Sequence, residues 1–169
     1  SIEYPSRWMK DQKSIQECKK HIFELHNIPK GVRLGIGVDR LDYTKGILER
    51  FLAIEKLLEK YPEWIGKFSF IQIAAPSRST IEDYKIFEEK VKILADTINQ
   101  KYGTSSYRPI VLEIEHHEPS SVFEYFRSAD LCFVSSLHDG MNLVAKEFIA
   151  ARDDDQGVLI LSQFTGASR

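Results

Sequence analysis

The sequence predicts an α/β fold in which a parallel sheet carries helices on both faces. Short apolar runs of strand length alternate with longer stretches of helical apolar spacing. Strands that alternate with helices in this way pair in parallel, since each crossover lays its helix on the sheet. Size agrees, because 169 residues suffice for one sizeable core without division into two domains.

Ile15, Cys18, Ile22 and Leu25 recur at helical spacing and predict a polar helix from Gln12 to Leu25, stopped by Pro29-Lys30-Gly31. Arg33 to Val38 is a short apolar run of strand type. Gly46 to Lys60 places Leu48, Phe51, Leu52, Ile54, Leu57 and Leu58 on a helical stripe. Tyr61-Pro62 ends it, because proline disfavours helical dihedrals in the residue before it. Phe68 to Ala74 is the second strand. Ser79 with Glu82 spells a capping box for a helix carrying Tyr84, Phe87, Val91, Leu94, Ile98 and Tyr102, closed by Gly103. Ile110 to Ile114 is the third strand, and Ser121 with Glu124 suggests another capped helix bearing Phe123, Phe126 and Arg127. Leu131 to Val134, Leu143 to Ala151 and Val158 to Leu161 complete the pattern as strand, helix and strand.

Composition narrows the function classes. The hydrophobic fraction of 43% and charged fraction of 28% are those of an ordinary soluble globular protein. A net charge of −2 gives no electrostatic footprint for nucleic acid, while leaving room for a local basic pocket. No run approaches the roughly 20 apolar residues that span a bilayer, so no membrane partner is expected. Ser1 to Pro5 has neither the basic nor the apolar region of a secretory signal. Cys18 and Cys132 form no ligand pattern with the five histidines and read as reduced, buried packing residues of a cytoplasmic protein. The sequence opens without an initiator Met and stops just after a strand, which a piece cut from a longer chain explains best.

In parallel sheets of this kind ligands bind beyond the carboxyl ends of the strands, where loops run into helices. Asp39-Arg40-Leu41-Asp42-Tyr43-Thr44-Lys45-Gly46 is the first such loop. Arg40 and Lys45 face the mouth of the sheet beside a helix N-terminus, a combination that suits a phosphate or diphosphate and equally describes two solvated surface charges. Gly35-Ile36-Gly37 starts like a dinucleotide fingerprint, but Arg40 stands where the third glycine belongs. Arg78 follows the second strand, as a binding residue or as a surface arginine beside a cap. His116 and His117 follow the third and are not spaced as a helical metal pair, so no metal site is expected. The loop after Val134 runs through Asp139-Gly140 into a helix containing Glu147. A carboxylate and turn amides there can hold sugar hydroxyls, and Glu147 can reach a diol; turn, cap and solvated charge describe the same residues.

Three longer stretches carry a resemblance. Gly37 to Gly46 resembles the signature G-V-[DE]-R-L-D-Y-[ST]-K-G, Asp139 to Glu147 matches D-G-M-N-L-V-A-K-E at every position, and Val158 to Ala167 resembles V-L-[IV]-L-S-[EQ]-F-[AT]-G-A. These are motifs of trehalose-6-phosphate synthases and their near relatives. The resemblance implies a Rossmann-like sheet forming one half of a GT-B glycosyltransferase. Residues 1–169 would be its C-terminal, nucleotide-sugar-binding domain, truncated at both ends.

The implied reaction transfers glucose from UDP-glucose, or another nucleotide-glucose, to glucose 6-phosphate with retention, without a cofactor or a protein-bound metal. Arg40 and Lys45 would hold the donor diphosphate and stabilise the leaving nucleotide. Asp139 would bind hydroxyls of the donor glucose beside the amides of Gly140, Met141 and Asn142. Leu143 and Val144 would present amides to the diphosphate, and Glu147 would bind the ribose. Arg78 matches the arginine that reaches the acceptor phosphate, and His116 and His117 fall in the loop that contacts the base. His138 departs from the arginine of many members, and Asp39 from a frequent glutamate. The resemblance leaves open a relative such as glucosylglycerol-phosphate synthase and a non-catalytic regulatory subunit that senses sugar phosphates. It also leaves room for a homo-oligomer of the full-length protein. With half of the cleft elsewhere, this chain alone is expected not to catalyse.

Overall fold

Five parallel strands and five α-helices account for the alternating pattern, in a computed structural model that describes residues 13–77 and 81–166. In chain order they are α1 (Ile15–Leu25), β1 (Arg33–Arg40), a 3-10 turn (Tyr43–Lys45), α2 (Ile47–Lys60) and β2 (Phe68–Ala75). Then come α3 (Glu82–Tyr102), β3 (Ile110–Glu113), α4 (Pro119–Ser128), β4 (Leu131–Val134), α5 (Leu143–Ala151) and β5 (Val158–Leu161). The sheet order is β3-β2-β1-β4-β5, every neighbouring pair parallel. The chain runs outward from β1 through β2 to β3, then returns to the other side of β1 for β4 and β5. The switch point therefore lies between β1 and β4, the place where sheets of this kind bind ligands beyond their carboxyl ends.

Alternation along each strand divides the core in two. Leu34 and Ile36 of β1, Ile71 and Ile73 of β2, and Cys132 and Val134 of β4 pack with α1, α4 and α5, where Ile22, Phe123, Phe126 and Phe148 are buried. The opposite face carries Phe68 and Phe70 of β2 against Phe51, Ile54 and Leu58 of α2 and Phe87, Val91 and Ile98 of α3. On that face the middle of β1 offers Gly35 and Gly37. A Cβ at Gly35 would come within 2.6 Å of the Phe70 ring, and one at Gly37 within 2.4 Å of the Arg50 guanidinium. The two glycines that open like a nucleotide fingerprint are thus space made for neighbours. Cys18 and Cys132 are both buried and free, as packing residues should be.

Three local expectations need correction. The buried stripe of α2 is Ile47, Arg50, Phe51, Ile54 and Leu58, whereas Leu52 is half exposed and Leu25 of α1 more so. Helix α3 starts at Glu82 with Ile81 at its N-cap, so Glu82 is the first helical residue and not the third of a capping box. Ser79, like Arg78 and Gln12, lies outside the described residues. Helix α4 begins two residues before Ser121, at Pro119, whose fixed φ is already helical and whose missing N–H would have had no partner there.

The reciprocal capping box sits instead on α1. Ser14 Oγ accepts from the Glu17 N–H at 3.1 Å, and the Glu17 carboxylate accepts from the Ser14 N–H at 2.8 Å. Ser14→Ala should therefore destabilise the chain by about 1 kcal/mol in urea unfolding. Ser121→Ala, inside α4, should change stability by no more than about 0.5 kcal/mol. The reverse order would restore the cap to Ser121.

Candidate functional site

Two loops meet over the switch point. In the first, Asp42 caps the 3-10 turn, its carboxylate accepting from the Thr44 N–H and hydroxyl, each at 2.8 Å. The turn delivers Lys45 and then Gly46, whose φ of +68° is left-handed. A side chain at Gly46 would also strike the Ser135 carbonyl oxygen at 2.1 Å. Glycine therefore lets the first loop lie directly on the loop after β4. Two bonds fasten them there: Leu137 N–H donates to Thr44 O at 2.8 Å, and Ser135 Oγ to Gly46 O at 2.8 Å.

Contact between the loops brings Lys45 to Asp139. Lys45 Nζ lies 3.1 Å from Asp139 Oδ2, which also accepts from Asn142 Nδ2 at 3.0 Å and Ser136 Oγ at 3.3 Å. Burial alone would push the Asp139 carboxyl up; the hydrogen bonds from Asn142 and Lys45 outweigh it and hold the group below its usual range. Asn142 acts twice, since its Oδ1 also caps α5 by accepting from the Ala145 N–H. Leu143 and Val144 are the first two residues of that helix, so their amides have no carbonyl one turn earlier to donate to. Gly140 and Met141 are exposed at the rim. Beneath them a turn closes the loop, with Gly166 N–H donating to Asp139 O at 3.0 Å and Ser162 Oγ to Ser136 O at 2.6 Å. Glu147, further along α5, is half-buried without an ion pair among the described residues, and burial raises its carboxyl.

A cavity of about 800 Å³ opens on the other side of the first loop's start, lined by Arg40, Leu41, Asp42, Ala75, Pro76, Ser77, Tyr84 and His116 and by neither Lys45 nor Asp139. It draws on the loops after β1, β2 and β3, and its size suits a small polar ligand. Arg40 is exposed and has no ion-pair partner among the described residues. Tyr84 also packs against Tyr43, with ring centroids 6.1 Å apart. His116 and His117 part company: His116 lines the cavity, whereas His117 is nearly buried edge-on against Tyr125.

His117, Glu113 and Glu115 each bring a ligand atom within 4.8 Å of the others, a grouping that could hold a cation. The Glu113 carboxyl is raised by burial and by its hydrogen bond and charge contact with Glu115, so a proton can answer the same crowding. Arg50, Gln72 and Ser135 are polar residues that loop-by-loop reading passed over. Arg50 could have been found as the one charge among the sheet-facing positions of α2.

The depressed Asp139 carboxyl has a pH signature. Its contribution to stability is complete above the unfolded value, about 3.9, and is lost as pH falls through the lower folded value. The melting temperature of the chain should accordingly fall more steeply below about pH 4 than that of Asp139→Asn. Parallel acid limbs would mean that the carboxylate is not held as described.

Known proteins resemble this chain in sequence and in fold. Residues 3–169 match the pattern of Glycosyltransferase family 20. The chain is 41% identical over 165 residues to the UDP-forming alpha,alpha-trehalose-phosphate synthase A of Dictyostelium discoideum, covering 98% of this chain and 22% of that one. The Burkholderia xenovorans alpha,alpha-trehalose-phosphate synthase (UDP-forming) in complex with glucose-6-phosphate superposes with a TM-score of 0.82 at 36% identity, over 91% of this chain and 35% of that one. An E. coli trehalose-6-phosphate structure bound with UDP-2-fluoro glucose superposes with a TM-score of 0.82 at 40% identity, over 92% of this chain and 36% of its own. The chain thus spans between about a fifth and about a third of the length of these relatives.

Proposed function

The chain belongs to glycosyltransferase family 20, and from that membership we propose that it is the donor-binding domain of a trehalose-6-phosphate-forming enzyme. In this reading residues 1–169 are part of the C-terminal half of a two-domain GT-B transferase. The whole protein transfers glucose from UDP-glucose to glucose 6-phosphate with retention at the anomeric carbon, in the cytoplasm. The observation that carries the reading is the meeting of Lys45 and Asp139 at the start of α5, where a cation, a carboxylate and free helix amides converge.

Each group has a task suited to its chemistry. Lys45 spends one of its three donors on Asp139 and keeps two for diphosphate oxygens. Arg40, exposed on the cavity wall, offers a planar fork to the same diphosphate. Negative charge grows on the leaving nucleotide as the glycosidic bond breaks, so fixed cations favour that state over the bound donor. The amides of Leu143 and Val144 add the positive end of α5. Asp139, ionised and fixed by three donors, accepts from hydroxyls of the transferred glucose beside Gly140, Met141 and Asn142. Glu147 takes the ribose diol, and the loop bearing His116 and His117 borders the base. Arg78 is assigned to the acceptor phosphate. The chemistry asks for no bound metal, since Arg40 and Lys45 supply the positive charge.

The full-length protein should make trehalose 6-phosphate from UDP-glucose and glucose 6-phosphate. Lys45→Ala should lower its turnover by about 100-fold or more. The 169-residue chain alone should bind UDP in calorimetry and show no turnover, because orienting two substrates needs both walls of the cleft. Turnover with a different phosphorylated acceptor, or none with either substrate, would overturn the assignment.

A further inference from the structure

We propose that Arg50 is a positioning residue for transfer: buried under the first loop, it fixes the backbone of Lys45 so that the ammonium is held at the diphosphate. The proposal rests on the reading of Lys45 and Asp139 as donor-site groups.

Arg50 sits where a cation is least welcome. It is fully buried, and it lies in the first turn of α2, at the positive end of the helix. A buried ion pair is weak support for stability, and well-packed apolar residues of similar volume often serve as well or better. The neighbouring stripe positions Ile47, Phe51 and Ile54 are all apolar. The strand beneath makes room as well, since any side chain at Gly37 would meet the guanidinium.

The contacts of Arg50 fall into two groups. Those facing the sheet balance its charge: Nη1 donates to Asp39 Oδ2 at 2.6 Å and to Gln72 Oε1 at 2.5 Å, and Gln72 Nε2 donates to the same Asp39 oxygen at 2.9 Å. Those facing the mouth act on the loops: Nη2 donates to the Lys45 carbonyl at 3.3 Å and Nε to Ser135 Oγ at 3.1 Å. Ser135 in turn donates to Gly46 O, and Ser136 beside it reaches Asp139. The path from Arg50 through the Lys45 backbone to its ammonium, on to Asp139 and back through Ser136 and Ser135, is a closed ring. Lys45 is thereby anchored at both ends, its carbonyl by Arg50 and its Nζ by Asp139. An unanchored lysine would spread its ammonium over several rotamers and weaken the stabilisation of charge in the transition state.

Only a planar fork spans these partners. Lysine at position 50 could keep the charge and one bond to Asp39, but its donors radiate from a single point and cannot also hold Ser135 and the Lys45 carbonyl. Arg50→Lys in the full-length enzyme should therefore lower kcat about tenfold or more, with KM for UDP-glucose within about threefold of the parent. Ser135→Ala, which removes the other end of the anchor, should lower kcat in the same sense. Ser14→Ala, which removes the cap of α1 and touches none of these groups, should lower the melting temperature and leave kcat within about twofold, separating a structural loss from a positioning one. Lys45→Ala serves as the check on the underlying reading. If Lys45→Ala is inactive while Arg50→Lys and Ser135→Ala keep the parent's kcat, the positioning role is wrong and the donor-site reading stands. If Lys45→Ala itself turns over normally, that reading falls and the proposal with it. Should Arg50→Lys fail to fold, Ser135→Ala decides the matter alone.

Discussion

A guanidinium taken out of water costs several kcal/mol unless its charge is balanced and its donors are met, and Arg50 satisfies that demand only because four pieces of the chain converge on it. Asp39 is next to last in β1, Gln72 lies in β2, Ser135 follows β4, and the Lys45 carbonyl belongs to the first loop. The central part of the sheet and the loop above it must therefore be placed together. Apolar packing alone would tolerate small slides of one element past another, because burial has no direction. Hydrogen bonds from one rigid, planar group do not. The constraint sits at the switch point of the sheet.

How much of this was legible in the sequence depends on the range of each interaction. The α/β class, the parallel sheet and all five strands follow from local periodicity, and the structure agrees with them to within a residue or two. Two helix starts did not follow, because a serine three residues before a glutamate is a cap only if the backbone turns there. Pro119 set the start of α4 instead, and Ile81 holds the N-cap of α3. The glycines of β1 were visible, but their purpose was not: the residues that fill the space, Phe70 and Arg50, come from other elements. For the same reason the meeting of Lys45 with Asp139, 94 positions apart, could be suspected from motif resemblance and not from spacing. The placement of His117 against Tyr125 likewise separates two adjacent histidines that the sequence presents as one pair.

The cleft also shows a division of labour between its charges. Arg50 and Asp39 are buried, directly bonded to each other and committed to holding elements in place. Arg40 is exposed on the cavity wall, and Lys45 is partly exposed. A group that must grip a phosphate needs donors to spare, while a group that orders the backbone must have none, since an unmet donor in the interior is a standing cost. One loop of eight residues, Asp39 to Gly46, contributes a charge of each kind, and the side on which each residue leaves the strand decides which it becomes.

That division bears on Asp39, a position where the resembled signature admits glutamate as well. The Asp39 carboxylate oxygen already accepts from both Arg50 and Gln72, and Gly37, one step along the same face, has no room for a side chain. A glutamate would bring one more methylene into this packed space. It could keep both bonds only by moving the guanidinium toward the mouth or by bending its own chain. The first adjustment is transmitted along Arg50 to the Lys45 carbonyl. A change that looks conservative in the sequence is thus a change in where the first loop rests. Arg50 is the residue whose length and planarity would have to absorb it.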